Sequence, residues 1–198
     1  MQFHGVRPNQ YTEVMETLWC EVDKLKQQGK FRFIGITETY GDDNRHEMLP
    51  EALKTNLFDT AMVGYNMIGP TPEHVILPLC QTANVGVICM VAVRRALSRP
   101  DYLKAQIALA KSRGLIASNA LPDDDPLGWL LRDGVGSLPA AAYKYVNAHP
   151  AMGTVLSGTA NIEHLEENVK AILGPSLPTE DMGRLRSVFG QVWEPLGN

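Results

Sequence analysis

No apolar run in this 198-residue sequence approaches the roughly 18 residues that a membrane-crossing helix requires. The amino terminus also lacks the charged-then-apolar pattern of a targeting segment. Basic residues are scarce: 18 Lys and Arg stand against 22 Asp and Glu, a net charge of −4. The one basic cluster, Arg94, Arg95 and Arg99, is too small to displace counterions along a phosphate backbone, which argues against nucleic acid as a partner. Cysteine is rarer still. Cys20, Cys80 and Cys89 are odd in number, widely spaced and set in apolar runs, with no C-x-x-C pair and no Cys/His zinc spacing. The expectation is a reduced, cytoplasmic protein with buried thiols. Both phosphate-cradling glycine patterns, G-x-G-x-x-G and G-x-x-x-x-G-K-[ST], are missing from the strand-to-helix turns. Low-complexity segments and clear linkers are absent as well. Residues 1–198 therefore read as one domain, with 175–198 as a C-terminal tail packing on it.

What is present is an alternation of two periods. "MQFHGV" reads as a strand with a histidine near its tip. From Tyr11 to Gln28 the apolar residues Val14, Leu18, Val22 and Leu25 recur at threes and fours, which predicts a helix stopped by Gly29. "FRFIGITE" (31–38), "FDTAMVGYNMI" (58–68), "VGVICMVAV" (85–93) and "AMGTVLSG" (151–158) predict four more strands, the third of them apolar enough to be covered on both faces. Between them "RHEMLPEALKTN", interrupted near Pro50, and Glu73 to Ala83 predict helices. Asp101 to Arg113, "LPAAAYKYVNAH" and "IEHLEENVKAIL" predict three more. In the last of these Ile162, Leu165, Val169 and Ile172 form one apolar face. Five strands with intervening helices predict an α/β fold with a parallel sheet, either open or part of a (β/α)8 barrel.

In either architecture ligands sit at the carboxyl ends of the strands. Those ends are His4-Gly5, Thr37-Glu38, Tyr65-Asn66, Val93-Arg94-Arg95 and Ser157-Gly158-Thr159. "SGTAN" runs straight into a helix, so unpaired backbone N–H groups and a positive helix end are expected to face the site. His46, His74 and His149 read as surface residues, Glu38 as a solvated strand-end carboxylate, and Asp123 to Asp125 as a solvated loop.

"GKFRFIGITE", "VGYNMI", "ILPLCQTANVGVICMVAVRRALSRP" and "TVLSGTANIEHLEENVKAILGPSLPTED" resemble, in that order, the second half of the aldo-keto reductases. The resemblance implies an incomplete (β/α)8 TIM barrel whose five strands are strands four to eight, with the first three βα units missing. It implies an NAD(P)H-dependent oxidoreductase reducing aldehydes or ketones, with NADP as cofactor and NAD possible. His4 matches the histidine that orients and polarises the substrate carbonyl, the one catalytic position on this chain. Thr37 and Glu38 match the pair holding the nicotinamide carboxamide, and Tyr65 ends the next strand. Met62 stands where a glutamine is usual and Met90 where an aromatic ring stacks on nicotinamide. Arg94 lies in the loop that folds over the pyrophosphate. Ser157, Gly158, Thr159, His164, Glu167 and Asn168 match the group binding the 2′-phosphate and adenine, with His164 replacing an arginine.

The family's catalytic Asp, Tyr and Lys come from the first strands and have no counterpart here. The expectation is a truncated chain, inactive alone, whose open barrel edges favour a homo-oligomer. The alternative is a non-catalytic binding or oligomerisation module that retains part of the dinucleotide site.

Overall fold

The computed structural model describes residues 1–132 and 134–197; Asn198, the end of the tail segment, lies outside the described residues. Five short strands, β1 (Gln2–Val6), β2 (Gly35–Glu38), β3 (Thr60–Gly64), β4 (Gly86–Met90) and β5 (Met152–Val155), pair in parallel in sequential order. No pairing joins β5 back to β1 among the described residues. The α/β class and the count of five parallel strands match expectation. Each strand is shorter than the apolar run that announces it, because a local feature ends the ladder. In β4 that feature is Val91, whose φ of 55° is left-handed and turns the chain directly after Met90.

Seven α-helices complete the fold among the described residues: α1 (Tyr11–Gln27), α2 (Met48–Lys54), α3 (Ile76–Thr82), α4 (Pro100–Ser112), α5 (Leu138–Asn147), α6 (Ile162–Leu173) and α7 (Thr179–Phe189). Pro50 does not interrupt α2. It occupies the first turn, where a missing N–H costs nothing, and the Asp43 carboxylate caps that turn by accepting from Glu47 N and Met48 N. No helix among the described residues is long and apolar enough to cross a membrane.

Strand alternation sorts the sheet into two faces. Ile36, Glu38, Ala61, Val63, Tyr65, Val87 and Cys89 are sealed among the helices. Gln2, His4, Met62, Ile88 and Met90 alternate with them and are exposed or half-buried. Of the cysteines, Cys80 and Cys89 are buried, as expected, and burial pushes their thiols up to about 12. Cys20 is exposed instead, on the solvent side of α1.

The last unit departs most from its sequence pattern. Ile162 is 73% exposed and Leu173 81%, while Leu165 and Val169 are also exposed. Only Asn168 and Ala171 of α6 are buried. Of the predicted apolar face, Ile172 is half-buried against the core, whereas Ile162, Leu165 and Val169 are left exposed.

Candidate functional site

The helix-facing side of the sheet carries two buried polar clusters that periodicity does not announce. Glu38 is a strand-end glutamate, yet it is fully buried rather than solvated. Its Oε1 accepts from Gly64 N at 2.7 Å and its Oε2 lies 2.7 Å from His46 Nδ1. His46 Nε2 lies 3.3 Å from Thr71 Oγ1. His46 is therefore a core residue, not a surface one, and holds β2, β3 and the loop before α3 together. Without this set of partners a buried carboxylate would be prohibitively costly.

The second cluster centres on Glu73. Its Oε1 accepts from Tyr65 OH at 2.5 Å and Tyr145 OH at 2.7 Å, and its Oε2 from Arg186 Nε at 2.7 Å. Burial alone would raise the Glu73 pKa, but these three donors outweigh it and hold the carboxyl below its ordinary value. Burial raises both tyrosines far above the usual phenol range, so they remain neutral donors. His149 packs edge-on against Tyr65 at 6.1 Å and is half-buried, which lowers its pKa; it too is not a surface group. His74 is exposed as expected, donating from Nε2 to Gly190 O at 3.0 Å.

At the carboxyl ends of β4 and β5 the chain opens into a cleft of about 970 Å³. Met90, Arg94, Gly158, Thr159, His164, Glu167 and Asn168 all line it. Ser157 stands just behind, its Oγ accepting from Asn168 Nδ2 at 3.0 Å and from Tyr143 OH at 3.1 Å. This triangle ties β5, α5 and α6 into one wall. Arg95, Arg99 and Lys104 add positive charge, offset in part by Asp124 and Asp125. Of the other residues singled out in the sequence, His4 lies exposed on the edge strand β1. Thr37 is buried with its Oγ1 accepting from Gln2 Nε2 at 2.8 Å, and Glu38 and Tyr65 belong to the clusters above. None of these four lines the cleft.

The turn into α6 is less open than its composition predicts. Asn161 is the N-cap, its Oδ1 accepting from Glu163 N and His164 N, and Thr159 Oγ1 accepts from Asn161 N. The helix-end donors expected to be unpaired are thus largely taken. His164, in the first turn of α6, lines the cleft, and a Cβ placed at Gly158 would meet nothing within 4 Å, leaving the backbone open to a ligand. Asparagine before a helical run was the legible signal for this cap. Tyr143 carries no such signal, since its contact with Ser157 is made only across the α5–β5 connection.

Val91 and Arg94 mark the other end of the cleft. A β-branched residue at positive φ is strained, and such strain concentrates where a loop must be aimed. Here it turns the chain so that the segment 91–95 runs across the cleft.

Residues 1–189 match the Aldo/keto reductase family. Over 171 residues the chain is 25% identical to "Uncharacterized oxidoreductase YqkF" of Bacillus subtilis (strain 168), covering 83% of this chain and 52% of that protein. Among solved structures, the apo form of aldo-keto reductase AKR11C1 from Bacillus halodurans is similar with a TM-score of 0.62 at 23% identity, over 98% of this chain and 64% of that one. The thermostable aldo-keto reductase Tm1743, solved with the inhibitor epalrestat, is similar with a TM-score of 0.61 at 22% identity, over 94% and 58%. The chain thus spans about half the length of the curated relative and less than two thirds of the solved ones. At these identities the solved structures speak for the fold alone, an α/β architecture of the TIM-barrel family.

Proposed function

The chain belongs to the Aldo/keto reductase family, and from that premise we propose that it is the cofactor-binding part of an oxidoreductase that reduces aldehydes or ketones with NADP(H), NAD(H) being the alternative donor. In this reading β1 to β5 are strands four to eight of an incomplete barrel. One observation carries it: the cleft at the ends of β4 and β5 gathers Met90, Gly158, Thr159, His164, Glu167 and Asn168, six of the residues that the family resemblance assigns to the dinucleotide. Its size falls within the range of about 300–1,000 Å³ usual for cofactor pockets. Its chemistry also fits a polyanion with an aromatic base, since Arg95, Arg99 and Lys104 flank it and His164, in the first turn of α6, lines it.

The roles follow from position. Thr159 and His164 stand at the start of α6, where a 2′-phosphate would lie; an imidazole is a weaker and more pH-dependent phosphate partner than a guanidinium, which blunts selection against NAD. Glu167 and Asn168, one helical turn on, address the adenosine, with Asn168 held by Ser157 and Gly158 leaving the backbone clear. Met90 offers a soft, polarizable contact to the nicotinamide end. Thr37, Glu38 and Tyr65 act from inside the fold by fixing the strand ends. His4 would polarise a carbonyl presented over β1. When bound, the reduced dinucleotide supplies the hydride.

The family's general acid and its partners have no counterpart in the matched motifs, and a general acid contributes about 10²–10⁴-fold. The chain by itself is therefore expected to bind the dinucleotide and to turn over poorly. A second reading, a non-catalytic module that binds or oligomerises, is favoured by the exposed residues on α6 and by the outer edges of β1 and β5, which pair with no strand among the described residues. Titration of NADPH followed by fluorescence, beside NADPH oxidation with a panel of aldehydes, separates the two. Binding with slow turnover supports the first reading, and binding without any turnover selects the second. Absence of binding overturns the assignment of the cleft.

A further inference from the structure

Arg94 is 5% exposed, and its Nε and Nη2 are sealed from solvent with no hydrogen-bond partner. It forms no ion pair among the described residues. Its guanidinium lies against the ring of Tyr40, whose centroid is 4.8 Å from the guanidinium carbon. Tyr40 is itself fixed: its hydroxyl accepts from Asn66 Nδ2 at 3.3 Å, and its ring occupies the space where a Cβ on Gly64 would fall. The residue beside it, Thr39, has a buried hydroxyl that is likewise unpaired. A guanidinium shielded from water and left without a carboxylate is costly to keep, and a cation–π contact offsets only part of that cost. Every other buried charge described above is fully partnered, so Arg94 stands out as a donor set waiting for an acceptor, and it lines the cleft.

Its direction decides which acceptor. Strand order places Tyr40, just past β2, two strands from β4 and three from β5. With neighbouring strands about 4.8 Å apart, the guanidinium reaches away from α6, where His164, Glu167 and Asn168 stand, and across the sheet toward β1. The exposed Arg95 and the cleft-lining Arg99 and Lys104 remain on the α4 side for cofactor phosphates. Resting on the dinucleotide reading of the cleft, we infer that Arg94 is the oxyanion-binding residue of the substrate subsite, and that the substrate class is carbonyl compounds bearing a carboxylate. A planar guanidinium meets a carboxylate with two parallel hydrogen bonds, and the Tyr40 ring holds that plane in place.

The test uses the full chain. Short straight-chain oxo acids, each against its neutral methyl ester, together with inorganic pyrophosphate and NADPH, are titrated by calorimetry into wild type, Arg94→Gln and Arg94→Lys. The expected result is that an oxo acid binds about tenfold or more tightly than its ester and that Arg94→Gln erases this preference. Arg94→Lys should restore part of it, with NADPH affinity unchanged within about twofold throughout. Ligand-free Arg94→Gln should also melt above wild type, because an unpaired buried charge has been removed. Acid and ester binding alike, or neither binding, overturns the inference. So does a variant that loses pyrophosphate or NADPH affinity instead, which would make the guanidinium a cofactor contact. A variant that melts below wild type with oxo-acid binding intact makes Arg94 a packing element and overturns it as well. Oxo-acid binding in a chain that does not bind NADPH would fail the dinucleotide reading alone and leave the Arg94 subsite standing.

Discussion

The middle of the sheet and its last unit are built from the same sequence pattern and end in opposite states. From β2 to β4 the helix-facing positions are sealed, and even a glutamate and a histidine are buried there because each has a full set of partners. In β5 and α6 the alternation and the apolar stripe are just as regular, yet only Ile172 of the stripe packs against the core, and Ile162, Leu165 and Val169 face solvent. The difference lies in neighbours rather than in pattern. β3 has a strand on either side and helices over it, whereas β5 pairs only with β4 among the described residues. A stripe is an offer of burial, and it stabilises only where something packs on it. The cleft-lining residues fall where the two states meet, with one wall on the well-packed β4 and the other on α6.

The largest blow to the packed region should come from Glu73→Ala. It leaves two buried tyrosine hydroxyls and Arg186 without their acceptor and is expected to cost about 3 kcal/mol, measured by urea denaturation. A loss under about 1 kcal/mol would mean that water replaces the carboxylate and that the cluster is not sealed. Next is Glu38→Ala, expected to cost about 2 kcal/mol by orphaning Gly64 N and His46. His46→Ala should cost a similar amount, and the double variant should cost less than the sum, since the two share one interaction.

A pH series sharpens the same contrast. Glu73 has a folded-state pKa below its ordinary value of 4.5, so its contribution to stability is complete above that value and is lost as pH falls through the folded pKa. Denaturation midpoints should therefore drop on acidification below 4.5, and Glu73→Gln should flatten that part of the profile. An unchanged profile in the variant would assign the acid sensitivity to other carboxylates. The smallest effect on stability is expected from Leu165→Ser and Val169→Ser on α6, within about 0.5 kcal/mol for the single chain. If copies of the chain associate through this stripe, the same substitutions should shift size-exclusion elution toward a smaller species. A loss of several kcal/mol would show instead that the stripe is covered.

The strands and helices were legible because periods of two and of three to four survive in any neighbourhood. That Met90, Gly158 and His164 would line one cleft was legible because strand ends in a parallel sheet share an edge. The Glu38–His46 and Glu73 clusters were not. Their members lie 8 to 113 residues apart in the chain, and a lone glutamate or histidine at a strand or helix end looks the same whether water or a partner satisfies it. Cys20 and the α6 stripe failed in the other direction, since apolar surroundings in sequence do not supply a covering surface in space.

By itself the sequence determined the α/β class, the parallel order of elements and the end of the sheet at which the cleft opens, because these follow from hydrophobic period and chain chirality. Only the tertiary structure decided which polar residues are buried, which part of an apolar stripe is left open, and that Arg94 lies stacked on Tyr40 without a counter-charge among the described residues. Those outcomes depend on what stands opposite each side chain, a property of distant segments meeting rather than of any local stretch.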